Sequence, residues 1–136
     1  MDGQARKLGL RPGHRVALDH PPAGWALDER PEGAVVVGPR ARADVTVAFV
    51  SSAAQLARRL PGLVARLAPE SSLWLAWPRR AGGHQSDLTD NVVRTAALDR
   101  GLVDTKVCAL DDDWSALQFV WPRASRGAVA GRAGRP

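Results

Sequence analysis

Hydrophobic positions along the chain predict short strands that alternate with two helices. Two apolar-rich segments, 15–19 and 44–50, are typical of strands, and the second has the higher content of β-branched residues. A third segment, 73–77, contains no polar residue and stops at Pro78, which favours a central strand covered on both faces. The same reasoning predicts three further strands, at 34–37, 103–110 and 116–121.

Two stretches show the spacing of three and four residues that is typical of a helix with one buried face. The first begins at Ser52, which is followed three residues later by a glutamine, as in a capping box. Pro61 lies inside this stretch and is expected to kink or split the helix. The second helix is expected to have Asp87 as its N-cap, to run to about Arg100 and to end at Gly101.

This order of elements predicts an α/β fold, a Rossmann-like three-layer sandwich with a mostly parallel sheet and right-handed crossovers. The last two strands are too close in sequence to enclose a helix, so we expect them to form an antiparallel hairpin. Residues 1–122 are expected to form one domain around one core. Residues 123–136 are rich in Arg, Gly and Ala. Because such a segment has too little apolar surface to form a core, this composition predicts a disordered tail.

The positive charge of the chain is concentrated in this tail. The net charge is +5, from 19 basic and 14 acidic residues. Residues 123–136 contain four arginines and no acidic residue, so the rest of the chain is almost neutral. A nucleic-acid-binding domain usually has a basic face. Nucleic-acid binding is therefore predicted only as a weak, salt-sensitive association through the tail.

Other features of the composition favour a cytoplasmic protein without a metal site. No apolar run approaches the ~20 residues of a membrane span, and the first residues lack the apolar core of a signal peptide. The single cysteine, Cys108, excludes an internal disulfide and a site built from several thiolates. Nothing in the pattern decides the oligomeric state, and a homodimer is one possibility.

The loop after the first predicted strand argues against a nucleotide-type cofactor. Folds that bind dinucleotides or S-adenosylmethionine place closely spaced glycines here, because their backbone N–H groups then approach the cofactor. In this chain residues 20–24 read His-Pro-Pro-Ala-Gly. Pro21 and Pro22 have no N–H and a fixed φ. We therefore expect no bound cofactor.

The order of elements resembles a shortened class I methyltransferase. In that resemblance residues 15–19 are the first strand, 44–50 the fourth, 73–78 the fifth and 103–121 the terminal hairpin. Because the glycine loop is absent, the resemblance implies a degenerate S-adenosylmethionine site. A fold-level resemblance does not carry an activity.

Short motifs spread over residues 7–121 carry a second resemblance. They are Lys7-Leu-Gly with Pro12-Gly13, the Leu-Trp-Leu-Ala-Trp-Pro-Arg-Arg sequence at 73–80, the segments 86–89 and 92–94, residues 101–109, and Trp114-Ser115. Together they resemble the bacterial domain of unknown function 3052 family. Arg80 stands where that pattern has a lysine, and Gly83-His84 is a further departure. The resemblance implies a family and no assigned reaction.

Candidate ligand-binding residues follow from the expected topology. Ligands of open α/β sheets bind beyond the carboxyl ends of parallel strands, so 19–22, 50–52 and 77–80 are expected to meet at one cleft, with the helix at Asp87 pointing into it. Arg79 and Arg80 could hold a phosphate or carboxylate there. The alternative is a solvated loop. The other candidate ligand-binding residues are Trp77, His20 and Ser51.

The candidate catalytic residues, should the chain be an enzyme, are His84, Asp87 and Asp19. A histidine titrates near neutral pH and suits general acid or base work. The alternatives are an exposed loop histidine at position 84 and a turn residue at position 19. Residues 111–113 are three consecutive aspartates, which cannot all point one way from an extended chain, so a hairpin turn is favoured over a metal site.

Cys108 and the tryptophans are further candidates with simpler alternatives. Lys106 lies two residues before Cys108 in a predicted strand and could lower the pKa of the thiol. A small buried cysteine and an edge-protecting lysine are favoured instead. Trp74 and Trp77 are three apart in a strand and are expected to face opposite sides. The loop tryptophans at positions 25 and 114 are expected to line a pocket or partner surface, or to pack in the core.

These observations favour a non-enzymatic α/β binding module for a small anionic ligand or a protein partner. Two alternatives stay open. One is a small enzyme with an altered methyltransferase-like site, and the other is weak association with nucleic acid through the tail.

Overall fold

A computed structural model describes residues 4–27, 29–80, 83 and 85–133. The helices within these residues are α1 (Gln4–Lys7), α2 (Ala53–Arg66), α3 (Asp90–Leu98) and α4 (Arg126–Ala133). The strands are β1 (Arg15–Asp19), β2 (Val35–Val37), β3 (Val45–Phe49), β4 (Ser72–Pro78), β5 (Val103–Ala109) and β6 (Trp114–Val120). A short 3-10 helix, Arg123–Ser125, precedes α4.

The strands form one six-stranded sheet in the order β2-β1-β3-β4-β6-β5. Parallel pairs join β2, β1, β3 and β4, while β6 pairs antiparallel with both β4 and β5. The predicted α/β fold, with a mostly parallel sheet and an antiparallel hairpin at its end, is confirmed. Lys106 lies in β5, which is an edge strand, beside an irregularity in the strand register.

The central position of β4 explains its uninterrupted apolar sequence. Residues 72–77 of this strand are all buried. Successive side chains of a strand point to opposite faces. Trp74 and Trp77 accordingly belong to the hydrophobic cores on the two different faces of the sheet, as predicted.

One face of the sheet is covered by helices. Leu56, Leu60 and Leu63 of α2 pack with Val93 of α3 and with Phe119 of the sheet. The opposite face is covered by the N-terminal segment, where Ala5 and Leu8 are buried, and by the loop between β1 and β2. This second covering layer therefore contains the four-residue helix α1 and irregular chain in place of crossover helices.

Helix α2 begins as its sequence predicts. The Ser52 hydroxyl accepts a hydrogen bond from the Gln55 N–H at 3.2 Å, and the Gln55 side chain accepts one from the Ser51 N–H at 2.9 Å. These bonds satisfy N–H groups that a helix leaves unpaired at its start. Pro61 lies on an exposed position, and the helix runs through it from Ala53 to Arg66 without being split.

The start of α3 differs from the sequence-based expectation. The N-cap is Thr89, whose hydroxyl accepts a hydrogen bond from the Val92 N–H at 3.3 Å. Asp87 therefore does not cap this helix. The helix ends at Leu98, two residues before the expected end at about Arg100, and Gly101 lies in the turn that follows with φ of +90°, a conformation that glycine adopts without a steric penalty.

The segment after the sheet also differs from the expectation. Residues 123–133 are helical rather than disordered, and Val129 of α4 is buried against the helix-covered core. The Arg126 guanidinium donates to the Trp121 carbonyl at 3.4 Å and lies 3.5 Å from Glu70. Average hydropathy misses this packing because one well-placed valine anchors the segment.

None of the helices in the described part of the chain combines the length and the hydrophobicity that crossing a bilayer requires.

Candidate functional site

A cavity of about 340 Å³ lies at the carboxyl ends of β1 and β3. Within the sheet, β2 lies on one side of β1 and β3 lies on the other side of β1, so the strand order reverses here and this is the topological switch point. Ligands of open α/β sheets bind at such points. The residues that line this switch-point cavity are His20, Pro22, Phe49, Ser51, Gln55, Arg58, Arg59 and Trp114.

A buried carboxylate lies at the base of the switch-point cavity. Asp19, at the end of β1, is 5% exposed. Its Oδ2 accepts a hydrogen bond from Arg59 Nη2 at 2.7 Å, and its Oδ1 lies 2.6 Å from His20 Nδ1. Burial on its own raises the pKa of Asp19, but the hydrogen bonds from Arg59 and His20, with their charges, outweigh it and hold the pKa below the ordinary value. The carboxylate is therefore ionised at neutral pH.

Arg59 joins the ends of the two strands. Its Nη1 donates to the Phe49 carbonyl at 2.6 Å, while Nη2 binds Asp19. One guanidinium from α2 thus occupies the crevice between β1 and β3. Its Nε is buried without a hydrogen-bond partner within the described residues.

His20 is held in an uncommon backbone conformation. Its φ is +53°, in the left-handed region that only a few per cent of non-glycine residues adopt. An ionised carboxylate can only accept hydrogen bonds, so Nδ1 of His20 donates to Asp19. In the neutral form of the ring this leaves the lone pair on Nε2. The His20 side chain is 70% exposed, so this nitrogen is within reach of a ligand.

Aromatic rings form the apolar wall of the cavity. Phe49 is nearly perpendicular to Trp114 at a centroid distance of 5.1 Å, and it makes an edge contact with Trp25 at 4.9 Å. The Trp25 indole N–H donates to Asp111 at 3.0 Å. Asp111 also accepts from the N–H groups of the β5–β6 turn at 113 and 114. Asp111, the first of the three consecutive aspartates, therefore stabilises the turn and holds the Trp25 ring in place through hydrogen bonds.

Asp87, a predicted catalytic residue, is engaged at the start of α2. Its Oδ1 accepts a hydrogen bond from the Ala53 N–H at 2.8 Å. The neighbouring Ser86 hydroxyl donates to the Ser51 carbonyl at 2.9 Å. The loop before α3 therefore docks on the N-terminus of α2 and supplies a negative charge where the helix dipole favours one.

The expected single cleft is divided into two. Trp77, Arg79 and Arg80 line a separate cavity of about 380 Å³, together with Asp90 and Val107. The Arg79 guanidinium donates to the Asp111 carbonyl at 3.0 Å, so it faces the hairpin turn. In this cavity the negative charge of the Asp90 carboxylate disfavours binding of an anionic ligand to the two arginines. The arginine pair consequently lies apart from the His20 and Ser51 positions.

The predicted residues are thus brought together only in part. Asp19, His20 and Ser51 share the switch-point cavity or its base. His84 lies outside the described residues. Gln55, Arg58 and Arg59 were missed, although their spacing of three and four places them on one face of α2. That spacing, directly after a strand end, is the signal from which they could have been found.

The remaining titratable candidates do not form a site within the described residues. Burial raises the pKa of the Cys108 thiol, and the charge of Lys7 lowers it by less. A reactive cysteine has a lowered thiol pKa, so the raised pKa of Cys108 argues against a nucleophilic role. The described residues contain no group of three or more His, Cys, Asp or Glu side chains arranged to hold a metal ion.

Comparison with known proteins shows the fold. The chain is similar to a solved structure of a LepI variant, described as being in complex with SAH and substrate analogue, with a TM-score of 0.50 and 16% sequence identity. This is a methyltransferase-like fold. The match covers 86% of this chain and 38% of that one, so this chain spans well under half of its length. At this identity the likeness concerns the fold alone.

No family model matches the sequence, and the search of curated proteins found no match. The resemblance to the domain of unknown function 3052 family therefore stays a prediction.

Proposed function

We propose that this chain is a binding module that holds a small anionic ligand in the switch-point cavity. The observation that carries the proposal is Arg58, which is exposed at the cavity with no carboxylate among the described lining residues, whereas the charge of Arg59 is already paired with the Asp19 carboxylate at the base. Phe49 and Trp114 add an apolar wall. A carboxylate or phosphate attached to an aromatic ring fits this combination.

Arg58 is the residue expected to bind the charge of the ligand. Arg59 already shares its charge with Asp19 and donates to the Phe49 carbonyl. Arg58 is exposed at the mouth of the same cavity. A hydrogen bond to a charged group contributes about 1.5–3 kcal/mol, which corresponds to roughly a tenfold to hundredfold change in affinity.

Two features support a ligand other than S-adenosylmethionine. Pro21 and Pro22 remove backbone donors from the loop after β1. The Arg59 guanidinium occupies the crevice between the ends of β1 and β3. Membership of the domain of unknown function 3052 family, a bacterial and cytoplasmic setting, and a protein partner remain parts of the proposal that rest on the sequence alone.

Calorimetry with phenyl phosphate tests the proposal, with benzyl alcohol as a neutral analogue of similar size and S-adenosylhomocysteine as the competing ligand. We expect phenyl phosphate to bind one site and the other two compounds not to bind. Arg58→Gln should weaken phenyl phosphate at least about tenfold, because one charge-assisted hydrogen bond is lost.

Arg100→Gln is the matched control, because Arg100 is an exposed arginine outside the cavity lining. It should leave the affinity unchanged. Equal binding of benzyl alcohol, an unaltered affinity in Arg58→Gln, or no binding of phenyl phosphate would overturn the proposal. Tight binding of S-adenosylhomocysteine would show a retained cofactor site instead.

The geometry of His20 favours one second candidate, an enzyme in which His20 is the general base. Asp19 orients the ring through Nδ1, and Nε2 then has a free lone pair in the neutral form. A base oriented by a carboxylate is the arrangement that activates water or a hydroxyl group. In this case His20, rather than His84, is the proposed base.

Hydrolysis of p-nitrophenyl acetate tests this second candidate. His20→Gln should lower the rate, while His14→Gln is the control, because the His14 ring accepts a hydrogen bond from the Arg11 N–H and lies outside the cavity lining. Equal rates for the two variants would leave His20 with no catalytic role.

A further inference from the structure

A larger cavity lies at the opposite end of the sheet, where the parallel strands β3 and β4 begin, and is called the amino-edge cavity below. Its volume is about 500 Å³. It is bordered by the loop between β2 and β3, the last turn of α2, the start of the loop before β4, and the chain after β6. This amino-edge cavity shares no lining residue with the switch-point cavity.

The floor of the amino-edge cavity is apolar and well anchored. It is formed by Val64, Leu67, Trp121 and Val129, which are each less than a tenth exposed and belong to the helix-covered core. The Trp121 indole N–H donates to the Leu67 carbonyl at 2.9 Å, which satisfies its polar atom.

The rim of the amino-edge cavity is positively charged. Arg40, Arg42 and Arg66 are exposed, and no carboxylate is among the described lining residues. The nearby acidic residue Glu70 is engaged by Arg126 at 3.5 Å. Arg66 also complements the negative end of the α2 dipole, but the two arginines of the β2–β3 loop have no such role.

We propose that the amino-edge cavity binds an amphipathic anion, an acyl chain that ends in a carboxylate. The chain would lie on Trp121 and Val129, and the carboxylate would be held by Arg42 and Arg66. Arginine suits this role because its planar guanidinium binds a carboxylate through two hydrogen bonds. This site lies at the other edge of the sheet from the switch-point cavity, and its ligand is an extended chain rather than a ring.

Titration with octanoate tests the proposal, with octylammonium as the probe of equal chain length and opposite charge. We expect octanoate to bind one site by calorimetry and octylammonium not to bind. In a proton–nitrogen correlation spectrum octanoate should shift the indole N–H signal of Trp121. The indole signal of Trp25 serves as an internal control, because Trp25 donates to Asp111 at the other end of the molecule.

Two kinds of variant distinguish the contribution of the charged rim to octanoate binding from that of the apolar floor. Arg42→Gln combined with Arg66→Gln should weaken octanoate at least about tenfold, while Arg100→Gln should not. Ala68 also lines the cavity, so Ala68→Phe fills it without changing charge and should abolish the Trp121 shift. Thermal unfolding confirms that each variant is folded.

Three results would overturn the proposal: no octanoate binding, equal affinity for octylammonium, or an unaltered affinity in the double arginine variant. If a variant fails to fold, the comparison of the two probes on the unmodified protein still decides the outcome. Failure here leaves the phenyl phosphate test untouched, because that test concerns the other edge of the sheet.

Discussion

Asp19 and Arg59 form an ion pair of 2.7 Å between the end of β1 and the second turn of α2. Both side chains are largely removed from solvent, at 7% and 16% exposure. Because Arg59 also donates to the Phe49 carbonyl, the pair ties two strand ends and a helix together at the switch point. Removing one partner leaves the other as a largely buried charge without its ion-pair partner.

A double-mutant cycle measures this pair. Arg59→Met should lower the free energy of unfolding by about 3 kcal/mol, because the buried Asp19 carboxylate loses its arginine partner and keeps only the contact with the exposed His20. Asp19→Asn combined with Arg59→Met should cost less than the sum of the two single changes, since no lone charge remains. Urea unfolding of the four proteins supplies the values. Additive effects would mean that the two side chains do not interact.

The stability of the protein should depend on pH through Asp19. The folded-state pKa of this carboxyl lies below its ordinary value of 3.8. The pair therefore contributes its full stability above that value, and the contribution is lost as the pH falls through the folded pKa. We expect the urea midpoint of the unmodified protein to fall steeply below about pH 4. Asp19→Asn should show a shallower fall, and parallel curves for both proteins would contradict this assignment.

Phe49 should be the residue on which the aromatic wall of the switch-point cavity depends. It is 3% exposed and contacts the rings of Trp25 and Trp114. Phe49→Ala should cost about 3–5 kcal/mol and reduce the near-ultraviolet circular dichroism of the tryptophans, because both rings lose their packing surface. Phe49→Leu, which keeps most of the volume, is the control and should cost less. Identical spectra for the two variants would count against this role.

Thr89 and Asp87 should stabilise different helices. Thr89→Ala should cost about 1 kcal/mol, because the N-cap of α3 is lost. Asp87→Ala should have a similar cost through α2, because the Ala53 N–H at the start of that helix loses its acceptor. Denaturant unfolding checks both values. If Asp87 were the N-cap of α3, Thr89→Ala would be nearly neutral.

Cys108 should react slowly with thiol reagents in the folded protein. Its thiol is partly buried, and burial raises its pKa above the ordinary value of 9.0 despite the charge of Lys7. At pH 8 the folded protein should react with iodoacetamide more slowly than glutathione does, since the thiolate is the nucleophile. Unfolding in urea should restore the rate. A rate equal to that of glutathione before unfolding would exclude this environment.

Local sequence patterns determined the six strands, the helices α2 and α3, and the order of these elements. The apolar run 73–77 predicted a strand buried on both faces, and β4 is such a strand, because its hydrophobic side chains need partners on both sides. Ser52 predicted the N-cap of α2 correctly, and Gly101 predicted the turn after α3, since helix ends depend on neighbours in sequence. The short spacing of the last two strands likewise required a hairpin.

Tertiary structure alone decided which side chains meet. Asp87 was expected to cap the nearest helix in sequence, but the docked loop carries it to α2, 34 residues away. Arg59 reaches Asp19 across 40 residues because α2 crosses over the ends of β1 and β3. Residues 123–133 are ordered because Val129 finds a place in the core. Such long-range contacts depend on how whole elements pack, and no window of neighbouring residues contains that information.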